Sequence, residues 1–194
     1  MPRLADAALD QLFHAARSHP TYADRPVETA VLEELTRLAL LAPSAFNQQP
    51  LRVIYVATPE GKARLEPALS RGNHAKTMAA PVTAIVCWDV GFTDHLPHVW
   101  PQADVRGYFP DEDARRASAR QNALIQAGAM IMAARALGLG TGPMGGFDKA
   151  KVQAEFLDGS GWEPAFLLNL GWPEANPATA RAPRLEFATA ARIV

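Results

Sequence analysis

Apolar positions in the first part of the chain recur at helical spacing. Leu9, Leu12, Phe13 and Ala16 predict a helix from about Asp6 to Arg17. Val31, Leu32, Leu35, Leu38 and Ala39 predict a second over Glu28 to Leu41, stopped by Pro43. The pattern then changes period. Arg52 to Ala57 shows little polar alternation, as a strand covered on both faces would. Gly61 to Leu69 reads as a short helix and Val82 to Trp88 as a second strand. Between Asp89 and Asp113 periodicity is lost among prolines and the aromatics Phe92, Trp100, Tyr108 and Phe109, which predicts a long loop serving as lid or pocket wall. A long helix follows over Ala114 to Leu137, with Leu124, Ala127, Ile131, Ala134 and Leu137 on one face. Its alanines and Gly128 suit a helix packed on all sides, and Gly138 ends it. Pro164 precedes a last strand, Ala165 to Leu170, and a tail carrying Pro173, Pro177 and Pro183 is not expected to pack as a helix. Helices and strands mix without regular alternation, and no repeat or linker interrupts them. The expected class is α+β, with one domain over residues 1–194.

Composition narrows the partners. With 48% hydrophobic and 20% charged residues the chain is ordinary globular protein. Its 19 basic and 20 acidic side chains leave a net charge of -1, so no field attracts nucleic acid or an anionic membrane surface. Asp6 stands where a secretion signal would begin its apolar stretch. The longest apolar run, Ala79 to Trp88, is broken by Pro81 and Thr83 and falls short of the ~20 residues that span a bilayer. Cys87, the single cysteine, lies within a strand and reads as a small core side chain rather than a reactive thiol. A cytoplasmic protein is expected.

Three stretches carry candidate chemistry. Gly138 to Asp148 is glycine-rich, but its first glycines follow a helix and Pro143 interrupts the turn, so it is not a Rossmann fingerprint. Pro143 to Asp148 reads instead either as a loop that lies close to a ligand or as a helix cap and turn. In Ala42 to Pro50, Ser44, Asn47 and the glutamines could turn the chain or hydrogen-bond a polar heterocycle. Asn73 and Lys76, three residues apart, would share one face of a helical turn, either solvated or facing a ligand. His95 and His98 have a metal-compatible spacing that no further ligand set completes, so no metal is expected. Asp111 to Asp113 ahead of Arg115 and Arg116 fit a helix start. Arg106 and Tyr108 could receive a carboxylate and protonate an alkoxide, although surface arginine and packing tyrosine are the plainer reading.

Taken in order, five stretches resemble the nitroreductase family, and within it the malonic semialdehyde (3-oxopropanoate) reductases of uracil breakdown. They are Gly61 to Ser70, Ala80 to Val86, Arg135 to Leu139, Thr141 to Met144 and Arg181 to Leu185. The resemblance implies a central, mostly antiparallel sheet flanked by helices, in an intertwined homodimer with FMN at each of two interface sites. It implies that Arg17, Ser18 and Arg181 meet the ribityl-phosphate end, where arginine grips phosphate through two parallel bonds. His19 and Arg184 would add to that end, because basic residues of many relatives are replaced here by Ala16 and Pro20 and a lysine near Thr179 is missing. Ser44 and Asn47 would reach the flavin from the neighbouring subunit. Asn73 and Lys76 would face the pyrimidine side of the ring, while Pro143, Met144, Gly145 and Gly146 cover one face. Many relatives carry an acid at Gly145, but its backbone N–H would remain to bond flavin N5. NADPH or NADH would reduce the flavin in a ping-pong cycle and the substrate would then take its place, with no side chain assigned as catalytic. Malonic semialdehyde reduced to 3-hydroxypropanoate is the leading substrate. A nitroaromatic, quinone or enone reductase, a flavin-binding protein without turnover, and a relative without flavin are the alternatives.

Overall fold

Every residue of the apolar run over Val82 is withdrawn from water, and the rest of the fold follows from covering it. In the computed structural model, which describes residues 2–174 and 180–194, four strands form an antiparallel sheet. They are β1 (Leu51–Val56), β2 (Val82–Asp89), β3 (Gly140–Met144) and β4 (Trp162–Gly171), in the order β1-β2-β4-β3. Pro177 and Thr179 lie outside the described residues. β2 pairs with β1 through Val53 and Val86 and with β4 through Ile85 and Leu167. β4 begins earlier than its apolar run suggests. A register shift beside Cys87 carries the strand through Pro164, whose missing N–H a bulge tolerates.

Because strand side chains alternate, β2 serves two cores. Ala84 and Val86 face α2 (Thr29–Leu40) and the long α6 (Glu112–Ala136), packing with Leu35, Ala39, Met130 and Ala134. Ile85 and Cys87 face the opposite layer, where α3 (Pro59–Leu65) and α7 (Lys149–Phe156) contribute Leu65 and Val152. Burial pushes the Cys87 thiol up to about 12, consistent with a packing role.

Several expectations need correction. The first helix is one turn, α1 (Asp6–Leu9), widened into a π-helical turn over Asp10–His14, and Phe13 stays half exposed. The inward face of α6 is Ala119, Asn122, Ala123, Gln126, Ala127, Met130 and Ala134, while Leu124 and Ile125 point outward. Its two polar members are inward because they satisfy backbone: Asn122 Oδ1 accepts from Ala45 N at 2.8 Å and Gln126 Oε1 from Leu51 N at 3.2 Å. The stretch after Asp89 is ordered, with short helical turns including α5 (Leu96–Val99). Phe92, Leu96, Val105 and Phe109 pack there against Trp88 and Ala123. Three elements escape the hydrophobic pattern: α4 (Arg71–Ala79), α7 and β3, so Pro143 and Met144 are strand residues rather than loop. The proline is tolerated because β3 is an edge strand among the described residues. In the tail, one exposed helical turn, α8 (Phe187–Ala190), does form. Asp111 caps α6 by accepting from Ala114 N at 2.8 Å, as its acidic start foretells. Among the described residues no helix is long and apolar enough to cross a membrane.

Candidate functional site

The glycine-rich edge strand β3 receives the segment after α1 directly on its backbone. Ser18 bridges Thr141, and His19 N donates to Thr141 O at 2.9 Å. A Cβ on Gly142 would stand 3.0 Å from the Tyr22 hydroxyl and 3.1 Å from His19 O. One on Gly171 would stand 2.7 Å from Tyr22 Cδ1. Glycine is needed at both positions for this approach.

Two clefts open on either side of this segment and share Arg17 and His19. One, of about 330 Å³, is lined by Arg135, Leu139 and Thr141 as well. The other, of about 310 Å³, is lined by Ser18, Lys76, Pro143, Met144 and Asn169. The structure therefore brings together residues that the sequence separates widely.

Two arginines, Arg17 and Arg135, and one acid, Glu174, line the first cleft, and Arg181 shares backbone carbonyls with Arg17 beside it. Arg17 Nη1 donates to His14 O (3.0 Å) and Ala16 O (2.9 Å). Arg181 Nη2 donates to these same carbonyls at 3.0 and 2.9 Å, and to Phe13 O at 2.5 Å. Arg135 Nη1 donates to Leu12 O at 2.8 Å. Loss of water contact, then the charges of Arg17 and Arg184, lower the Arg181 pKa; burial and then Arg181 lower that of Arg135. Burial and then Arg135 lower the His19 imidazole from 6.5, so the ring is neutral at pH 7. No carboxylate pairs with Arg135, Arg181 or Arg184 among the described residues. Arg184 itself bonds Ala182 O at 2.8 Å and lies exposed. Two buried polar atoms of residues that line this cleft, Arg135 Nε and Thr141 Oγ1, have no partner. Gathered cations with unspent donors suit an anion.

The second cleft is built on α4. Asn73 Nδ2 donates to Gly146 O at 2.8 Å, tying the helix to the loop after β3, and nothing lies within 4 Å of where a Gly145 Cβ would project. Lys76 sits one turn on, half-buried. Asn169 Nδ2 donates to Lys76 O at 3.1 Å, while its Oδ1 accepts from the Thr83 hydroxyl at 2.8 Å.

Ser44 and Asn47 lie elsewhere, beside the opposite edge strand, in a cleft with Phe46 and Trp100. Three strand spacings, roughly 14 Å, separate the two edges, so one chain does not bring these residues to Lys76. Their loop is strained: Phe46, Asn47 and Gln49 have φ of 50°, 51° and 43°. Ser44 Oγ accepting from Gln49 N (3.1 Å) and Asn47 Nδ2 donating to Val99 O (3.0 Å) hold it. Arg106 is engaged by Asp104 at 2.7 and 2.9 Å, which holds that carboxyl down at about 2, and Tyr108 is exposed against Phe46. His95 Nε2 lies 3.7 Å from Asp89, and among the described residues no group of three or more His, Cys, Asp or Glu side chains could hold a metal.

Sequence reasoning missed Arg135, Thr141 and Asn169 as site residues. For Asn169 a signal existed, a lone amide within an apolar strand; Arg135 and Thr141 stood inside resembling stretches but carried no chemical sign of burial.

Comparisons with known proteins bear on this arrangement. The sequence profile of the nitroreductase family matches residues 14–172. A protein of Burkholderia lata, provisionally named an NADH dehydrogenase/NAD(P)H nitroreductase, is 48% identical over 194 residues, covering 100% of both chains. Among solved structures, a provisionally assigned nitroreductase from Exiguobacterium sibiricum in complex with FMN superposes with a TM-score of 0.84 at 23% identity, over 100% of both chains. An enone reductase of gut-bacterial fatty acid saturation matches with a TM-score of 0.83 at 19% identity, over 99% of this chain and 100% of that one. At such identities the structures establish a shared fold.

Proposed function

The chain belongs to the nitroreductase family, and from that membership we propose that it is a single-domain, cytoplasmic, FMN-dependent NAD(P)H oxidoreductase acting as a homodimer. The observation that carries the reading is the pair of clefts meeting at Arg17 and His19, one lined by Arg17 and Arg135 beside Glu174 and backed by unpartnered buried polar atoms, the other flanked by Lys76 and an open glycine loop. FMN has an anionic phosphate at one end and a flat polar ring at the other, and the donor set fits both.

Arg17 and Arg181, with Ser18, His19 and Arg184 beside them, would hold the phosphate end. Arg135 and Thr141 add donors that the protein itself leaves unpaired. Asn73 would orient the loop over the ring by gripping Gly146 O, and open space above Gly145 gives the ring access to the backbone there. Pro143 and Met144 would support one ring face. When bound, FMN supplies the hydride chemistry between NADPH or NADH and the oxidised substrate. The Lys76 ammonium would stabilise negative charge at the pyrimidine end, working with the neutral His19 nearby. No side chain of this set is required as nucleophile.

Ser44 and Asn47 would complete the site of the second copy, consistent with their separation from Lys76 in one chain. Outward Leu41, Leu124, Ile125, Leu185, Phe187 and Ile193 are apolar surface that a second copy would cover.

The substrate we propose is malonic semialdehyde, reduced to 3-hydroxypropanoate in pyrimidine breakdown; the five resembling stretches support it. A broader nitro, quinone or enone reductase is favoured instead by the name of the Burkholderia relative and the fold shared with the enone reductase. Steady-state rates with the aldehyde, a quinone, a nitroaromatic and an enone, at saturating NADPH, separate the two. The aldehyde is expected to give the highest kcat/KM. Rapid quinone or nitro reduction without aldehyde turnover defeats the narrower reading and leaves the oxidoreductase standing.

A further inference from the structure

We propose that Lys62 is a positioning residue for the flavin site: from α3, on the same face of the sheet as Asn169 and Met144, it fixes the C-terminal turn of α4, and through it Lys76 and Asn169, while placing a buried positive charge at the ring's pyrimidine end. This rests on the FMN reading above.

Lys62 stands on α3 with 7% of its surface exposed. Its Nζ donates to Thr77 O at 2.7 Å and to Thr83 Oγ1 at 2.6 Å. The first acceptor is a carbonyl in the last turn of α4, the end where a helix lacks internal donors and favours a cation. The second begins a relay whose direction the ammonium dictates. An ammonium can only donate, so the Thr83 oxygen receives and its proton must go onward to Asn169 Oδ1, 2.8 Å away. That choice turns the Asn169 amide nitrogen toward Lys76 O, at 3.1 Å. Lys62 thus governs two successive carbonyls of α4, Thr77 directly and Lys76 through two side chains. Thr77 Oγ1 adds a contact to Met144 Sδ at 3.6 Å, on the strand that forms the floor of the cleft.

The charge itself is unbalanced. Among the described residues no carboxylate lies within 4 Å of Lys62, and burial lowers its pKa from 10.5 to about 8, so it is still protonated at pH 7. A methionine would fill the same space without the desolvation penalty. The complement to this cation is an electron pair arriving in the cleft that Asn169 and Lys76 line.

The test uses full-length Lys62→Met and Thr83→Val beside the wild type. FMN affinity is read by fluorescence quenching, the midpoint potential of the bound flavin by dye equilibration, and folding of the apoprotein by thermal melting. Lys62→Met is expected to melt no lower than wild type. Its potential should move to more negative values, with reduced flavin losing at least tenfold more affinity than oxidised flavin. Thr83→Val keeps the charge but breaks the relay; it should weaken FMN binding with a smaller shift in potential. Wild-type affinity and potential in Lys62→Met overturn the proposal. Should that variant fail to fold, the same null result in Thr83→Val overturns it. Absence of FMN binding by the wild type defeats the flavin reading itself, and this inference with it.

Discussion

Stability of the wild-type chain should rise between pH 8 and pH 10.5 relative to Lys62→Met. Burial depresses the Lys62 pKa from 10.5 to about 8. Below pH 8 both folded and unfolded chains carry the proton, and the penalty for burying the charge is fully present. Between the two values the folded chain has released the proton while the unfolded chain still binds it. Unfolding then takes up a proton, so its free energy climbs with pH. The fall from 10.5 to about 8 corresponds to roughly 3 kcal/mol at about 1.4 kcal/mol per pKa unit. With 7% of the residue exposed, solvent screening removes little of this. Cys87 and Tyr22 work in the opposite sense: burial raises both, so each costs stability as pH rises past its unfolded value. They are common to both proteins and cancel in the difference. Urea unfolding at fixed protein concentration, followed by tryptophan fluorescence at pH 7, 8, 9 and 10, gives that difference directly. It should shift by about 2–3 kcal/mol in favour of wild type over this range. A difference independent of pH would mean that Lys62 keeps its unfolded pKa in the folded chain, its charge hydrated rather than buried.

Gly171→Ala should destabilise by about 1–3 kcal/mol, since the new methyl would meet Tyr22 at 2.7 Å and Pro81 at 2.8 Å; an unchanged melting temperature would contradict that close packing. Arg181→Ala should weaken FMN binding roughly ten- to hundredfold in calorimetric titration while the apoprotein melts as before, and wild-type affinity would remove Arg181 from the phosphate end. Cys87 should resist alkylation by iodoacetamide in the native protein at pH 8 and react on unfolding in urea, its pKa being about 12 and its side chain buried.

The parts of this fold that were legible in the sequence are those where packing alone selects the residues. β1, β2, α2 and most of α6 announce themselves because apolar side chains line one face or a whole strand. β3 does not, since Gly140, Gly142 and Pro143 have weak strand preference; pairing with β4 and the closeness of the Ser18 segment hold it in place. α4 is hidden for a related reason. Gly72, Asn73, His74 and Lys76 make a poor apolar stripe: Asn73 bonds Gly146 O, His74 meets Glu66, and Lys76 lines a cleft. The face of α6 was misjudged at Leu124, because Asn122 and Gln126 turn inward to serve loop backbone. At the site, the shared face of Asn73 and Lys76 followed from spacing, whereas the meeting of Arg17 and Arg181 came only from family resemblance. Arg135, Thr141, Asn169 and Lys62 gain their meaning from burial, which depends on distant partners that no local pattern encodes.

The most direct test of an FMN-dependent NAD(P)H oxidoreductase is the anaerobic visible spectrum of the purified protein, reconstituted with FMN and titrated with NADPH and then NADH. Flavin bands that stay with the protein through gel filtration, bleach with one or both nicotinamides and return on adding an oxidising substrate are the expected result. Bands that never bleach, or no retained flavin at all, would contradict it.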